Sequence, residues 1–164
     1  MATHQRSRIA ILAGAKEVIA KVGSYESNML EIAEHAQVSR ATVYNHFSDK
    51  DEMFLTLVES EVERLAALAA KAATPGDALY VMSREISTDS ALARMAQTDP
   101  TDIAKLVTVT DHKIWNQIRH SLGKLFGDGN SGLILHWLIS QIAAPLSEVD
   151  SRHLANQLAV AISH

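Results

Sequence analysis

The chain contains no cysteine, 3 prolines among its 164 residues, and few aromatic side chains, which make up 5% of the total. Without cysteine it can form no disulfide framework, no cysteine-ligated zinc site and no cysteine nucleophile. The scarcity of proline and of β-branched runs, with Ala, Leu and Ile recurring at three-to-four spacing, predicts an all-helical fold.

Long apolar segments and strong charge of one sign are also missing. The most apolar window, 133–146, is too short to span a bilayer and contains polar side chains. The first residues lack the apolar stretch of a signal peptide, so we expect a cytoplasmic protein without membrane contact. With 47% hydrophobic and 21% charged residues and a formal net charge of −4, the chain is predicted to fold rather than to remain disordered.

The signatures of common enzymes are absent from the sequence as well. It has no nucleophile elbow, no HExxH motif and no phosphate-binding loop, so we predict that it is not an enzyme and needs no cofactor. Among its 8 histidines, the best metal candidates are His112, His120 and His136 with Asp111. No pair of them has the close helical spacing that a shared ion requires, and no metal site is predicted.

The pattern of helix caps predicts a small head followed by a larger body. Gly23 is suited to end the first helix, while Asn28 with Glu31 forms a capping box and Ser39 caps the next short segment. The predicted helices cover approximately residues 6–22, 28–36, 39–46, 49–72, 77–87, 89–97, 101–126, 131–146 and 150–163. We place a three-helix head at 1–52, joined through the long helix to a helical body at 53–164.

Two short helices joined by a tight turn and braced by longer helices are typical of helix-turn-helix DNA binding. Val43 and Phe47 are predicted to bury the underside of the second short helix. Its other side chains would then face outward near the end that enters a major groove. These are Arg40, Ala41, Thr42, Tyr44 and Asn45.

The head resembles the tetracycline-repressor (TetR) family of one-component regulators from Arg8 to about Val58. The marks of the resemblance are Ile11-Leu12 with Ala15, Gly23, Ile32-Ala33, Ala36 with Val38-Ser39, Thr42-Val43-Tyr44 with His46-Phe47, and Ser48-Asp49-Lys50-Asp51. The chain departs from the family at Gln37, where glycine is usual; a left-handed residue there costs on the order of 1–2 kcal/mol, and a slightly remodelled turn is expected. It is also short for the family, which implies a small ligand-binding body.

The resemblance implies roles for particular residues of the head. Arg40 is the candidate for reading a base edge, because arginine pairs bidentately with guanine. Tyr44 and Lys50 resemble family residues that meet DNA phosphates, and a helix N-terminus attracts phosphate on physical grounds as well. The full predicted DNA-binding set is Arg6, Arg8, Ser27, Asn28, Ser39, Arg40, Thr42, Tyr44, Asn45 and Lys50. Arg6 and Arg8 would reach DNA from a flexible arm.

The last two predicted helices favour a homodimer. The helix at 131–146 is apolar nearly all round and must be covered on both sides. Two such helices from each of two chains form the four-helix interface by which the family dimerises; the alternative is a core within one chain. The predicted interface residues are Leu135, Leu138, Ile139, Ile142, Leu154, Leu158 and Ile162.

A small-molecule pocket is expected between the long helix and the helices at 77–126, with a neutral or apolar effector as its ligand. The candidate residues are Met82, Ile86, Met95, Thr110, His112, Ile114 and Trp115. A stripe of this kind is also what an ordinary core looks like.

The sequence therefore predicts a ligand-responsive transcriptional regulator, a repressor that binds a palindromic double-stranded DNA operator as a homodimer and is released by a small molecule. The alternative is a helical adaptor, or a protein that binds a small molecule or metal, without specific DNA binding. Residues 1–50 carry six basic and five acidic side chains, so the acidity belongs to the body. A nearly neutral head predicts few phosphate contacts and modest non-specific affinity for DNA.

Overall fold

The computed structural model of the chain describes residues 2–108 and 113–163. Within these residues the regular structure is all helical and contains no strand, which confirms the predicted all-α class. The helices are α1 (Ala2–Val22), α2 (Met29–His35), α3 (Arg40–His46), α4 (Lys50–Ala69), α5 (Pro75–Ser87), α6 (Ser90–Thr98), α7 (Pro100–Thr108), α8 (Lys113–Phe126), α9 (Ser131–Ala143) and α10 (Glu148–Ala161). Among the described residues, no helix is both long enough and apolar enough to cross a bilayer.

Side-chain caps set most of the helix starts close to the predicted positions. The Asn28 side chain accepts hydrogen bonds from the N–H groups of Leu30 and Glu31 at the start of α2. Thr74 caps α5 in the same way, and Pro75 occupies the first turn, where its missing N–H costs nothing. These caps satisfy backbone donors that have no partner inside the helix, and they fix where each helix begins.

Several predicted helix boundaries differ from the structure, and α4 ends at Ala69 rather than near residue 72. α1 already begins at Ala2, so residues 2–8 form its first turns rather than a flexible arm. α9 ends at Ala143, and Ala144 leaves the helical conformation because the next residue is Pro145. The predicted helix at 101–126 is helical in both of its described parts, α7 and α8; residues 109–112 lie outside the described range.

The first compact unit combines residues Met1–Glu61 with Ser90–Ile103. Its core is built on Ile11 and Ile32, which face each other across α1 and α2, with Val43 and Phe47 beneath α3. Gly14 permits the close crossing of α1 and α2, because a Cβ there would lie 2.8 Å from the backbone nitrogen of Ala36. These contacts bury the underside of α3 and leave its opposite face free.

The second compact unit combines Val62–Asp89 with Ala104–His164. In it α5 packs against α9 and α10, and α8 packs against α9. Leu79 and Ile134 are fully buried in this core, and a buried hydrogen bond of 2.6 Å joins Ser83 Oγ to the Gln141 side-chain oxygen. This hydrogen bond pairs two polar side chains inside the core of the unit.

The division between the units differs from the predicted boundary at residue 52. It falls within α4, after Glu61, and Ser90–Ile103 joins the first unit because α6 packs along α1. Sequence periodicity identified α6 as a helix but contained no signal for its partner. The assignment of DNA binding to one part and ligand binding to the other stays a prediction.

The turn between α2 and α3 keeps its hydrogen bonds even without glycine. Gln37 adopts the left-handed conformation, with φ of 54°. The N–H of Val38 donates to the carbonyl of Ala33 at 3.0 Å and that of Gln37 to the carbonyl of Glu34 at 3.1 Å, the pattern that ends a helix in a left-handed residue. The turn is thus not opened to relieve Gln37, whose backbone is held in the left-handed conformation.

We therefore expect Gln37→Gly to stabilise the protein by about 1 kcal/mol. Glycine has no Cβ to clash with the backbone, so it adopts the left-handed region without strain. Urea unfolding at constant slope measures the change. Gln37→Ala is the matched control, since it retains the Cβ and should gain little. Equal stabilisation by both variants would show that conformational strain is not the cause.

Candidate nucleic-acid interface

The outward face of α3 presents polar side chains together. Arg40, Tyr44 and Asn45 are exposed, whereas Val43 is fully buried on the opposite side. The Arg40 guanidinium carbon lies 5.4 Å from the centre of the Tyr44 ring, a distance at which the two attract each other. The structure thus brings together the three predicted DNA contacts that sit on this face, and Thr42 lies half-buried beside them.

Two further predicted contacts act as helix caps. Ser39 Oγ accepts a 3.0 Å hydrogen bond from the N–H of Thr42 at the start of α3. Asn28 Oδ1 does the same for Leu30 and Glu31 in α2. Both side chains remain exposed, but their oxygen acceptors already hold the helix ends in place. If these two residues contact DNA, they do so while their side-chain oxygens still cap the helices.

The prediction for Ser27 is wrong in its geometry. Its side chain is buried, with 4% of the residue exposed, and its hydroxyl donates a 2.7 Å hydrogen bond to the carbonyl of Ser24. The hydroxyl is therefore enclosed in the loop before α2 and is not presented to a ligand. Its position next to the Asn28 cap gave no indication of this burial.

The predicted arm residues belong to α1. Arg6 is exposed on this helix, while Arg8 is half-buried and places its guanidinium carbon 5.4 Å from the centre of the Phe47 ring. Arg8 therefore helps to cover the end of α3. The expectation that both residues reach DNA from a flexible segment is wrong, because residues 2–8 are helical.

Lys50 is held by the protein itself. Its ammonium group donates to the backbone carbonyls of Ser24 at 3.0 Å, Tyr25 at 2.9 Å and Ser27 at 3.1 Å. A lysine ammonium has three donors, so all of them are occupied. Lys50 therefore has no donor left over for a phosphate in this conformation.

Two exposed apolar residues near this surface were missed by sequence reasoning. Tyr25 is 76% exposed in the loop before α2, and Leu30 is exposed on the first turn of that helix. An aromatic residue in the short segment between Gly23 and the Asn28 cap was the available signal for Tyr25. Leu30 offered none, because apolar residues of a short helix are expected to face the core.

Two histidines pack together at the end of α3. The rings of His4 and His46 have centroids 4.0 Å apart, and Nδ1 of His46 is buried without a hydrogen-bond partner. Burial, followed by the positive charges of His4 and Arg8, lowers the pKa of His46 below its ordinary value. His46 is thus kept neutral more readily than a free histidine, as its packing role requires.

The predicted effector residues are divided between the two units. Met95 belongs to the first unit, while Met82, Ile86, Ile114 and Trp115 belong to the second; Thr110 and His112 lie outside the described residues. All of the described ones except Ile86 are buried. This burial fits core packing as well as a closed pocket, and their role in binding an effector stays a prediction.

The predicted dimer set requires a correction at two positions. Leu135 and Leu138 are 5% and 4% exposed and pack within the second unit, so they are not available to a second chain. The others, Ile139, Ile142, Leu154, Leu158 and Ile162, are half-buried. The large apolar side chains that α9 and α10 expose are instead Leu133, Val149 and Val160. An all-round apolar helix does not reveal which of its faces the chain itself covers.

A tight turn between two short helices, a buried underside and an exposed polar face on the second helix are the features of a helix-turn-helix motif. Residues 11–57 match the family model described as bacterial regulatory proteins, tetR family. Over these residues the match confirms the TetR resemblance of the sequence.

Curated transcriptional regulators are similar to part of the chain. The HTH-type transcriptional repressor Rv1474c of Mycobacterium tuberculosis is 33% identical over 64 residues, which are 39% of this chain and 34% of the repressor. The chain thus matches this relative over about a third of the relative's length.

Solved structures match nearly the whole chain in fold. The TetR family repressor AlkX from Dietzia sp. superposes with a TM-score of 0.66 at 15% identity over 95% of each chain. The transcriptional regulator FadR from Bacillus subtilis, solved in complex with stearoyl-CoA, gives a TM-score of 0.60 at 19% identity over 94% of this chain and 96% of FadR. At these identities the likeness establishes the fold of the body but not its ligand.

The pKa of His46 leads to a prediction for stability. Because the folded-state pKa lies below the unfolded value of about 6.5, the unfolded chain takes up the proton first as the pH falls. His46 therefore supports full stability above that value, and this contribution is lost as the pH drops below it.

We expect the urea midpoint of the wild type to fall between about pH 7 and pH 5 by more than that of His46→Gln. His153→Gln, at an exposed site on α10, is the control and should retain the wild-type slope. Identical slopes in the wild type and His46→Gln would contradict the assignment.

Proposed function

We propose that the chain is a transcriptional regulator that binds a palindromic operator as a homodimer and releases it when a small molecule binds to the body. The observation that carries the proposal is the exposed face of α3, where Arg40, Tyr44 and Asn45 lie together over a buried underside. A helix of this form fits the major groove, and its polar side chains are suited to base edges and phosphates.

The charge distribution favours sequence-specific over general binding. Residues 1–50 carry only one more basic than acidic side chain, so the negative charge of the chain lies in the remaining residues. Non-specific affinity grows with the number of phosphates that lysine and arginine neutralise. Few such contacts are available here, so tight binding depends on the correct bases.

Exposed apolar residues of α9 and α10 support dimerisation. Leu133 is 56% exposed and Val160 is 65% exposed. The side-chain amide of Asn130 donates a 3.2 Å hydrogen bond to the carbonyl of Ile162, which ties the start of α9 to the end of α10. Leu133 and Val160 therefore sit near the joined ends of these helices, where a two-fold partner covers both.

Release by an effector requires two states of the dimer with different affinities for the operator and for the effector. The FadR structure holds stearoyl-CoA. For this chain we propose a neutral or apolar effector in the second unit, near Met82, Ile86 and Trp115, since these side chains are mostly apolar and buried.

Arg40 provides the direct test of DNA recognition. An operator is first obtained by selecting bound duplexes from a random pool. Arg40→Ala should then weaken operator binding by about 1–3 kcal/mol and relax the choice of base at one position of each half-site. Its effect on unfolding should stay within about 0.5 kcal/mol, because the side chain is exposed.

Lys124→Ala is the matched control, because it removes an exposed positive charge from α8. It should bind the operator like the wild type. If no sequence is enriched, the chain is an adaptor without specific DNA binding. If Arg40→Ala and Lys124→Ala bind the selected operator alike, Arg40 does not read a base.

Val160 tests the dimer. Val160→Glu should convert the dimer to monomers without unfolding the chain, since the side chain is exposed in a single protomer and a buried carboxylate is unfavourable in an apolar interface. Sedimentation velocity measures the change. Leu55→Glu, at an exposed apolar site on α4, should remain dimeric. A monomeric wild type, or a dimeric Val160→Glu, would contradict this interface.

A further inference from the structure

The loop between α1 and α2, residues 23–27, is held unusually firmly for a segment without regular structure; we call it the α1–α2 linker. Ser24 and Ser27 are buried, and Gly23 has a φ of +90°. A Cβ at Gly23 would collide with the side chains of Thr98 and Asp99. Buried backbone outside a helix needs external hydrogen-bond partners, and the linker has two sets of them.

The carboxylates of Asp99, between α6 and α7, and of Asp102, in the first turn of α7, face the N–H side of the linker. Asp99 Oδ2 accepts a 2.9 Å hydrogen bond from the N–H of Ser24, and the N–H of Tyr25 also donates to this carboxylate. Asp102 Oδ2 accepts from the Ser24 hydroxyl at 3.2 Å. Asp99 is thus shared between the linker and the Thr98 hydroxyl, which donates at 2.7 Å.

The charge state of Asp99 favours its role as a hydrogen-bond acceptor for the linker. Burial opposes its ionisation, but the hydrogen bonds from Thr98, Ser24 and Tyr25 outweigh burial and hold the pKa of Asp99 below its ordinary value. An ionised carboxylate is the stronger acceptor for backbone N–H groups.

Lys50 occupies the C=O side of the same linker. Its ammonium donates to the carbonyls of Ser24, Tyr25 and Ser27 within 2.9–3.1 Å, so every donor is engaged. For Lys50 to bind a phosphate, at least one of these carbonyls would have to lose its partner. Leaving a polar group unpaired in a partly buried site opposes that exchange.

We propose that Asp99 and Lys50 are positioning residues that grip the α1–α2 linker from its N–H and C=O sides, and that Lys50 promotes operator binding through the linker rather than as a phosphate ligand. The linker runs directly into the Asn28 cap of α2, and α2 carries the turn that orients α3. Loosening either grip lets α2 shift, which misplaces the exposed face of α3 in the groove. This inference rests on the proposed operator binding.

The test compares Lys50→Met, Asp99→Asn and the double variant on the selected operator over a range of salt concentrations. Each single variant should weaken operator binding by about tenfold, the equivalent of one hydrogen bond to a charged group. Since both residues act on one linker, the double variant should lose little more operator affinity than the single variant with the larger loss. The slope of log affinity against log salt should equal that of the wild type in Lys50→Met, because no phosphate contact is removed.

Two matched controls separate position from charge. Lys124→Met and Glu63→Gln make the same charge changes at exposed sites on α8 and α4, and both should bind like the wild type. The proposal is overturned if Asp99→Asn binds like Glu63→Gln, or if Lys50→Met lowers the salt slope by about 0.9 per half-site. If Asp99→Asn does not fold, the salt slope of Lys50→Met alone decides.

Amide hydrogen exchange distinguishes this proposal from the proposed function. In the free protein, Asp99→Asn should speed exchange at Ser24 and Tyr25, whose N–H groups lose an ionised acceptor, while amides in α8 stay unchanged. Unaltered exchange at both amides would overturn the grip even if the wild type binds its operator. A wild type that binds no operator refutes the proposed function instead, whatever the exchange shows.

Discussion

The geometry of the DNA-binding domain depends on a buried turn that has no secondary structure to satisfy its backbone. The linker at 23–27 joins α1 to α2, and its polar groups are paired by Lys50 on one side and by Asp99 and Asp102 on the other. Because unpaired buried groups are costly, these bonds fix the path of the chain into α2. The orientation of α3, and with it the recognition surface, follows from that path.

The second turn of the domain works by a different means. Between α2 and α3 the backbone N–H groups donate to carbonyls at the end of α2, and Gln37 bears the conformational strain. A strained residue persists only where the surrounding structure over-determines it, and here Ile32 and Val43 are fully buried on either side. The two turns together hold the short helices, neither of which is long enough to be stable alone.

Local signals in the sequence were sufficient to predict the helices and the outward face of α3. Caps such as Asn28 and Ser39 act on their own backbone neighbours, so their effect can be read from a few adjacent residues. The burial of Ser27 and the hydrogen bonds of Lys50 involve partners at most 26 positions away along the chain. They nevertheless depend on the course of a loop that no local sequence pattern specifies.

Longer-range packing lay beyond the sequence for the same reason. The union of α6 with α1 and the burial of Leu135 and Leu138 depend on which apolar face meets which partner. Periodicity shows that a helix has an apolar face, but many pairings bury the same area. Val160 and Leu133 could not be separated from core residues until the packing of α9 and α10 was known.

Sequence-specific DNA binding by a nearly neutral head is the central claim, and one affinity ratio tests it most directly. The dissociation constant of the wild type is measured at physiological salt for its selected operator and for a scrambled duplex of equal length. We predict a ratio of about a thousand or more, with weak binding to the scrambled duplex, because few phosphate contacts are available. A ratio near one would contradict the claim.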